Sequence, residues 1–499
     1  MPREIDAQAL VAAEDQAGRE QLMKGALNII DGTVIGVAST APAYSLTATI
    51  TILAAAVGLW SPSAMVVAFF PMLGVAVGFY WLNRRIPDCG TSYAWIAKAL
   101  HPGLGFFTGW VIIAADVIVM ISLAGVAASS TETLFGLTTT SQFLNLVIGA
   151  VWILGLTWVV IRGIRVSAKM QWALLAAEYV IVMGFSVWAI VEVYANHPAG
   201  SHVFQWNWLV PWQAPGGGNA LLPALLGAVF LYWGWDSAGN VNEETEDVTS
   251  VPGLAMVYST FILLLIYVFA TSAIVMYMPP HIVGNTSNAN TLSTMSQRLG
   301  GGGKWWYLMV LAVVSSAASS TQTTILPTAR VTFSMARDRI IPKLFAAVHP
   351  RYLTPWFSSL IMGLVSVAVY ALSVYASGGL GSAITNAVLA IGLQIAFYYG
   401  LTGIAATWYY RHLLLDSVSN FILAGIFPLL GGLGFFWIFY EAASTLTVAQ
   451  FWTGVGTMLI GVPLLIWSWF HTPSFYRQKT EYARDDEPRA PHAAVSPAD

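Results

Sequence analysis

Apolar runs long enough to cross a lipid bilayer follow one another along this chain with little sequence left between them. They fall at about 28–58, 63–82, 104–130, 143–161, 168–193, 219–248, 253–278, 304–328, 356–376, 382–409, 419–441 and 448–470. A spanning helix needs about 20 such residues. In hydrocarbon every backbone N–H and C=O must be satisfied within the protein, which leaves helices or closed barrels. Runs of this length predict helices. The expected class is an all-α integral membrane protein of about 12 transmembrane helices, lodged in the lipid bilayer of the plasma membrane.

Charge tests this map. Only 9% of the 499 residues are charged, against roughly 25% in soluble domains. All but Arg298 and Lys304 of the 21 lysines and arginines fall on the side that holds both tails. The positive-inside rule puts that side in the cytoplasm. Outside, Trp206, Trp208 and Trp212 suggest an interfacial belt. Inside, the stretch from Arg330 to Ile341 alternates charge with apolar residues, as an amphipathic helix on the membrane surface does.

Several function classes drop out. No basic patch points to nucleic acid. The single cysteine, Cys89, excludes an internal disulfide and a thiolate metal site, and reads as a free thiol in a loop. The eight histidines are scattered, and none stands in a metal or triad arrangement. Neither a cofactor, a resident metal nor a catalytic constellation is expected, so the chain does not read as an enzyme.

Two segments carry a fault. One reads Gly36-Val-Ala-Ser-Thr-Ala-Pro-Ala-Tyr44, with a Ser-Thr pair and Pro42 at its middle. The other passes from an apolar run into Leu231-Tyr-Trp-Gly-Trp-Asp-Ser-Ala-Gly239 and on to Glu243-Glu244. Irregular backbone at membrane depth is tolerated only where it lines a cavity. Two interrupted segments in corresponding halves of the chain point to the binding site of a secondary transporter.

These residues resemble the amino acid/polyamine/organocation superfamily of permeases. The match rests on Met335-Ala-Arg-Asp338 with Pro342 and Thr354-Pro355-Trp356, and on Pro87-x-x-Gly90-x-x-Tyr93 leading to Gly109-Trp110. It rests also on Gly234-Trp-Asp236 followed by Glu243-Glu244. The resemblance covers residues 28 to about 410 and implies a LeuT-type fold. Residues 28–193 and 219–409 are then two five-helix inverted repeats with the first and sixth helices broken. Residues 419–470 add two helices, and 1–27 and 471–499 are cytoplasmic tails. The chain departs from the family in having Val37-Ala-Ser-Thr-Ala-Pro42 where a glycine-rich break is usual. It also has Glu178 where some proton-coupled relatives carry lysine.

The breaks expose backbone groups, and half-helix N-termini favour anions. Ala38, Ser39 and Thr40 in the first segment, with Trp233, Gly234, Trp235, Asp236 and Ser237 in the sixth, are the expected substrate-binding residues. Asp236 either binds a substrate amine or caps the second half-helix, and the helix dipole favours the cap. Phe230 holds the position of an aromatic gate in relatives, with lipid contact or packing as the plain alternative. Glu178 lies ten residues into its segment, about 15 Å deep at 1.5 Å per residue. Asp116 lies about 18 Å deep on the same count. A charged side chain there costs about 2.5–3.5 kcal/mol and is by default functional. Glu178 is the expected proton-coupling group and Asp116 a second acid near it or near a substrate amine. Ser319 and Ser320 match hydroxyls that bind Na⁺ in sodium-coupled relatives, while packing and backbone bonding explain them more simply. Thr321, Thr323, Tyr398, Tyr399 and Asn386 are further cavity candidates. Glu243, Glu244, Glu246 and Asp247 read as a solvated helix end, or as partners of nearby arginines at an inner gate.

The expected function is import of a small molecule, an amino acid or related amine, by proton symport with alternating access. A proton-coupled potassium transporter of similar fold and a nutrient sensor that does not transport are the alternatives.

Overall fold

The computed structural model describes residues 22–137, 141–284, 291–301, 303–376 and 380–484; the outer parts of both expected tails lie outside these. Among the described residues there is no strand, only an isolated pairing of Leu27 with Thr245. In chain order the helices used below are α1 (Ile29–Ser39), α2 (Pro42–Val57), α3 (Ser61–Arg85), α4 (Ser92–Ala99), α5 (Pro102–Leu134) and α6 (Gln142–Ile161). There follow α7 (Ile164–Asn196), α8 (Gly217–Tyr232), α9 (Ser237–Asn240), α10 (Val251–Tyr277), α11 (Thr291–Leu299) and α12 (Trp306–Arg337). The last are α13 (Trp356–Ala376), α14 (Leu380–Tyr409), α15 (Phe427–Thr445), α16 (Val448–Leu459) and α17 (Gly461–His471). Ten helical stretches among the described residues are long and apolar enough to cross a membrane. The first and sixth apolar segments are divided, into α1 and α2 and into α8 and α9.

Burial sorts these helices. The most apolar window of α12 is 89% buried and that of α5 is 83%, so both run through the middle of the bundle. The window across α16 and α17 is 17% buried, with Val448 and Phe470 more than three-quarters exposed. Apolar side chains on an outward face are what a helix bordered by lipid carries. Residues 30–57 and 219–240 pack between α12, α5 and α10, and the core lies around them.

Both divided segments are fastened at the face where the described ends of the chain lie. Asn28 caps α1, accepting from the N–H groups of Ile30 and Asp31, while Asp31 accepts in return from the Asn28 N–H. This is a capping box. Just before it, Ala26 and Leu27 donate to the Glu244 carbonyl, and Glu246 donates to Leu27. The start of α1 and the chain beyond α9 thus hold each other.

The structure corrects four expectations at this face. The eighth segment does not stop near 328 to give way to a surface amphipathic helix at 330–341. It continues as α12 to Arg337 because Val331, Phe333, Ser334, Met335 and Ala336 are buried all round. The Arg330 head is fully buried 2.5 Å from the equally buried Glu244 carboxylate, so Glu244 is not a solvated helix end. Glu243 pairs with Arg337 at 2.6 Å, with Asp88 3.4 Å from the same guanidinium. Lastly, Cys89 is buried among these groups, and burial, with Glu243 beside it, pushes its thiol well up and keeps it protonated. On the opposite face Trp206 and Trp212 are exposed as a belt requires, but Trp208 is buried against Phe204.

Candidate functional site

The first break follows from Pro42. A proline inside a helix lacks the N–H and clashes with the carbonyl four residues back, so α1 ends at Ser39 and Pro42 opens α2 at the position proline favours. Between them Ala41 is held at φ 46°, a left-handed conformation that costs a non-glycine residue about 1–3 kcal/mol and clusters at functional sites. The N–H groups around the break are accounted for one by one. Thr40 and Ala41 turn back onto the Val37 and Ala38 carbonyls, and Ser45 donates to Ala41. Ala43, in the first turn of α2, donates to Glu178 Oε1 at 2.6 Å. Tyr44 donates to Ser316 Oγ at 3.2 Å, and the Ser316 hydroxyl also donates to Glu178 Oε1 at 2.9 Å.

The second break is made by Gly234. Its φ of +122° suits only glycine, and a Cβ there would stand 2.8 Å from the Ser39 carbonyl carbon. The two breaks therefore touch. The Ser39 and Ser237 hydroxyls are 2.8 Å apart, and the Ser320 hydroxyl of α12 donates to the Ser39 carbonyl at 2.8 Å. From α10, the Tyr267 hydroxyl donates to the Leu231 carbonyl at the end of α8 and lies 3.2 Å from the Thr40 hydroxyl.

A cavity of about 30 Å³ opens beside this junction. That is room for a few water molecules, so a larger ligand needs its walls to part. Its lining includes Ser39, Thr40, Tyr44, Asp116, Phe230, Trp233, Gly234, Asp236, Ser237, Ser320, Thr323 and Tyr398, and no lysine, arginine or histidine. Asp116 accepts from the Thr328 hydroxyl at 2.6 Å. Asp236 accepts from the Tyr398 hydroxyl at 3.1 Å, and that hydroxyl accepts from the Trp233 indole at 2.6 Å. The arrangement places two carboxylates and an aromatic wall on one small space. It can receive a cation.

Most residues singled out in the sequence meet here, with exceptions. Ala38 is buried within α1 and Trp235 packs between Phe79 and Tyr399, away from the cavity. Glu178 lies at the start of α2 instead of lining the cavity, and Asp116 faces Asp236 across the cavity. Ser319 donates to Gln171 on α7, which spends its hydroxyl on packing. Asp236 makes no side-chain cap, since α9 is a single turn and the carboxylate is taken by Tyr398. The N–H groups at the first break are likewise already bonded, so the anion site expected at Ala38, Ser39 and Thr40 is filled from within. Phe230 is buried on the cavity wall and not in lipid contact. Tyr399 packs on Trp235, and Asn386 accepts from Gln450.

Thr328, Tyr267 and Ser316 were missed. Ser316 stands three and four residues before Ser319 and Ser320 on one helix face, and that spacing was a usable signal. Nothing in the sequence singles out Thr328 or Tyr267.

A bundle of membrane-crossing helices, two of them broken and in contact beside a buried polar cavity, defines a multi-pass membrane transporter and not an enzyme. The chain belongs to the amino acid permease family, whose pattern matches residues 30–469. It is 21% identical over 406 residues to the low-affinity putrescine importer PlaP of Escherichia coli, covering 80% of this chain and 85% of that one. To the large neutral amino acids transporter small subunit 2 of Homo sapiens it is 26% identical over 455 residues, 85% and 76% of the two chains. A methylthioribose transporter of Bacillus subtilis is 22% identical over 301 residues, 58% and 62% of the two.

Proposed function

We propose that this permease imports an amino acid or a related amine across the plasma membrane by proton symport, with alternating access around the two breaks. One observation carries the reading: Ser39 and Gly234 meet where Asp116 and Asp236 face a common cavity. The relatives named for putrescine and for large neutral amino acids support both substrate classes. Residues 28–193 and 219–409 act as the two repeats, 419–470 as additional helices, and the tails lie in the cytoplasm, as the distribution of lysine and arginine requires.

Glu178 couples the proton. Fully buried, and with no ion-pair partner among the described residues, it joins α7 to α2 and α12 through Ala43 and Ser316. Protonation weakens its hold as an acceptor and frees α2 to move, so the two protonation states favour different conformations. A proton is the better coupling ion than sodium here, because the Ser320 hydroxyl donates to the Ser39 carbonyl and Ser319 to Gln171. The test is uptake into proteoliposomes under an inward proton gradient, with and without sodium, of pooled amino acids, putrescine and rubidium. Gradient-driven uptake of an amino acid or amine is expected. Rubidium uptake alone would make the protein a potassium transporter, and binding without flux would make it a sensor.

A further inference from the structure

We infer that the substrate is a cationic amine that lacks an α-carboxylate, an inference that rests on the central cavity being the substrate site. Recognition of an amino acid needs two opposite features: a partner for its ammonium group and a set of donors for its carboxylate. The cavity supplies only the first.

The first break holds no backbone donor for an anion. The N–H groups of Thr40, Ala41 and Ser45 are bonded to backbone carbonyls, and Pro42 has none. Ala43 and Tyr44, the two that point out of the N-terminus of α2, go to Glu178 and Ser316. A helix N-terminus of this length is a natural anion site, and here the anion is part of the protein. At the second break the group turned to the cavity is the carboxylate of Asp236.

The lining carries two acids, Asp116 and Asp236, and no cationic side chain. A substrate carboxylate would enter beside like charges, with no cation to offset its desolvation. A substrate with one or two ammonium groups meets those acids directly. Tyr44, Phe230, Trp233 and Tyr398 add aromatic surface on which a desolvated ammonium is further held. The chemistry selected is that of a mono- or diamine.

The experiment compares ligands that differ only by the carboxylate: arginine with agmatine, ornithine with putrescine, leucine with isoamylamine. Binding to the purified full-length protein is measured by calorimetry, and uptake into proteoliposomes in parallel. At least one amine is expected to bind about tenfold or more tighter than its amino acid, the scale of one hydrogen bond to a charged group. Asp236→Asn should lower that affinity about tenfold on the same scale, with Asp116→Asn as the substitute should the first variant not fold. Amino acids binding as tightly as their amines in every pair, or no binding by any amine, would overturn the inference. The two readings fail separately. Amines bound but not driven by the gradient would remove proton symport and leave this inference standing, whereas amino acids accumulated by the gradient would do the reverse.

Discussion

At the first break the backbone is interrupted by Pro42, and side chains from α7 and α12, Glu178 and Ser316, meet the N–H groups set free at the start of α2. At the second it is interrupted by Gly234, and Asp236 turns its carboxylate to the cavity while a single turn of helix follows. Both are solutions to the same demand, that every backbone group at membrane depth find a partner. They differ in what is left over. The first break uses its acid to hold a helix in place, and the second leaves its acid available to a ligand. An acid near a broken helix is therefore not by that fact a substrate ligand; the partner it already has decides.

The sharpest way to break this contrast is at the fastening of the second segment. Glu244→Ala leaves the Arg330 guanidinium buried without its partner, and removing one member of such a pair costs about 3–5 kcal/mol. Thermal unfolding in detergent should fall well below wild type. Asn28→Ala, which removes the cap of α1, should cost only about 1 kcal/mol. Equal losses would show that the two segments are fastened alike.

Gly234→Ala addresses the junction itself. The new Cβ would press on the Ser39 backbone in a conformation that side chains rarely adopt, at a cost of about 1–3 kcal/mol. Uptake should drop at least about tenfold on that scale while the protein still purifies as a monodisperse species. Gly155→Ala, with open space around its Cβ, should do nothing.

Two hydroxyl removals separate the roles of the acids with smaller effects. Thr328→Val takes the donor from Asp116, and Ser316→Ala takes one from Glu178. Each loses about 1–3 kcal/mol of local interaction. The first should alter KM for substrate and the second the pH profile of uptake. Interchanged effects would reverse the assignment of the two carboxylates. Cys89→Ser, smallest of all, should leave uptake unchanged, because the protonated thiol is buried away from the cavity.

The helical class and the two breaks were legible because both follow from local chemistry: apolar length, a mid-segment proline, and a glycine followed by an acid. The boundaries of α12 were not. Arg330 reads as a surface residue unless its partner is known, and Glu244 lies 86 residues away in the chain. The same blindness to distant partners assigned Asp236 to a cap. Its acceptor bond comes from Tyr398 on α14, a contact between segments that no local pattern encodes. Glu178 and Asp116 were found by depth alone, and depth could not tell which of them faced the cavity.

The central claim is that the acid at the first break moves the proton. Wild-type protein and Glu178→Gln in proteoliposomes, loaded with substrate for exchange or energised by an inward proton gradient, test it most directly. The wild type should accumulate substrate under the gradient. The variant, with a side chain of the same shape that cannot titrate, should still exchange substrate but not accumulate it, and its exchange should lose its dependence on pH. Accumulation by Glu178→Gln at the wild-type level, with an unchanged pH profile, would contradict the account.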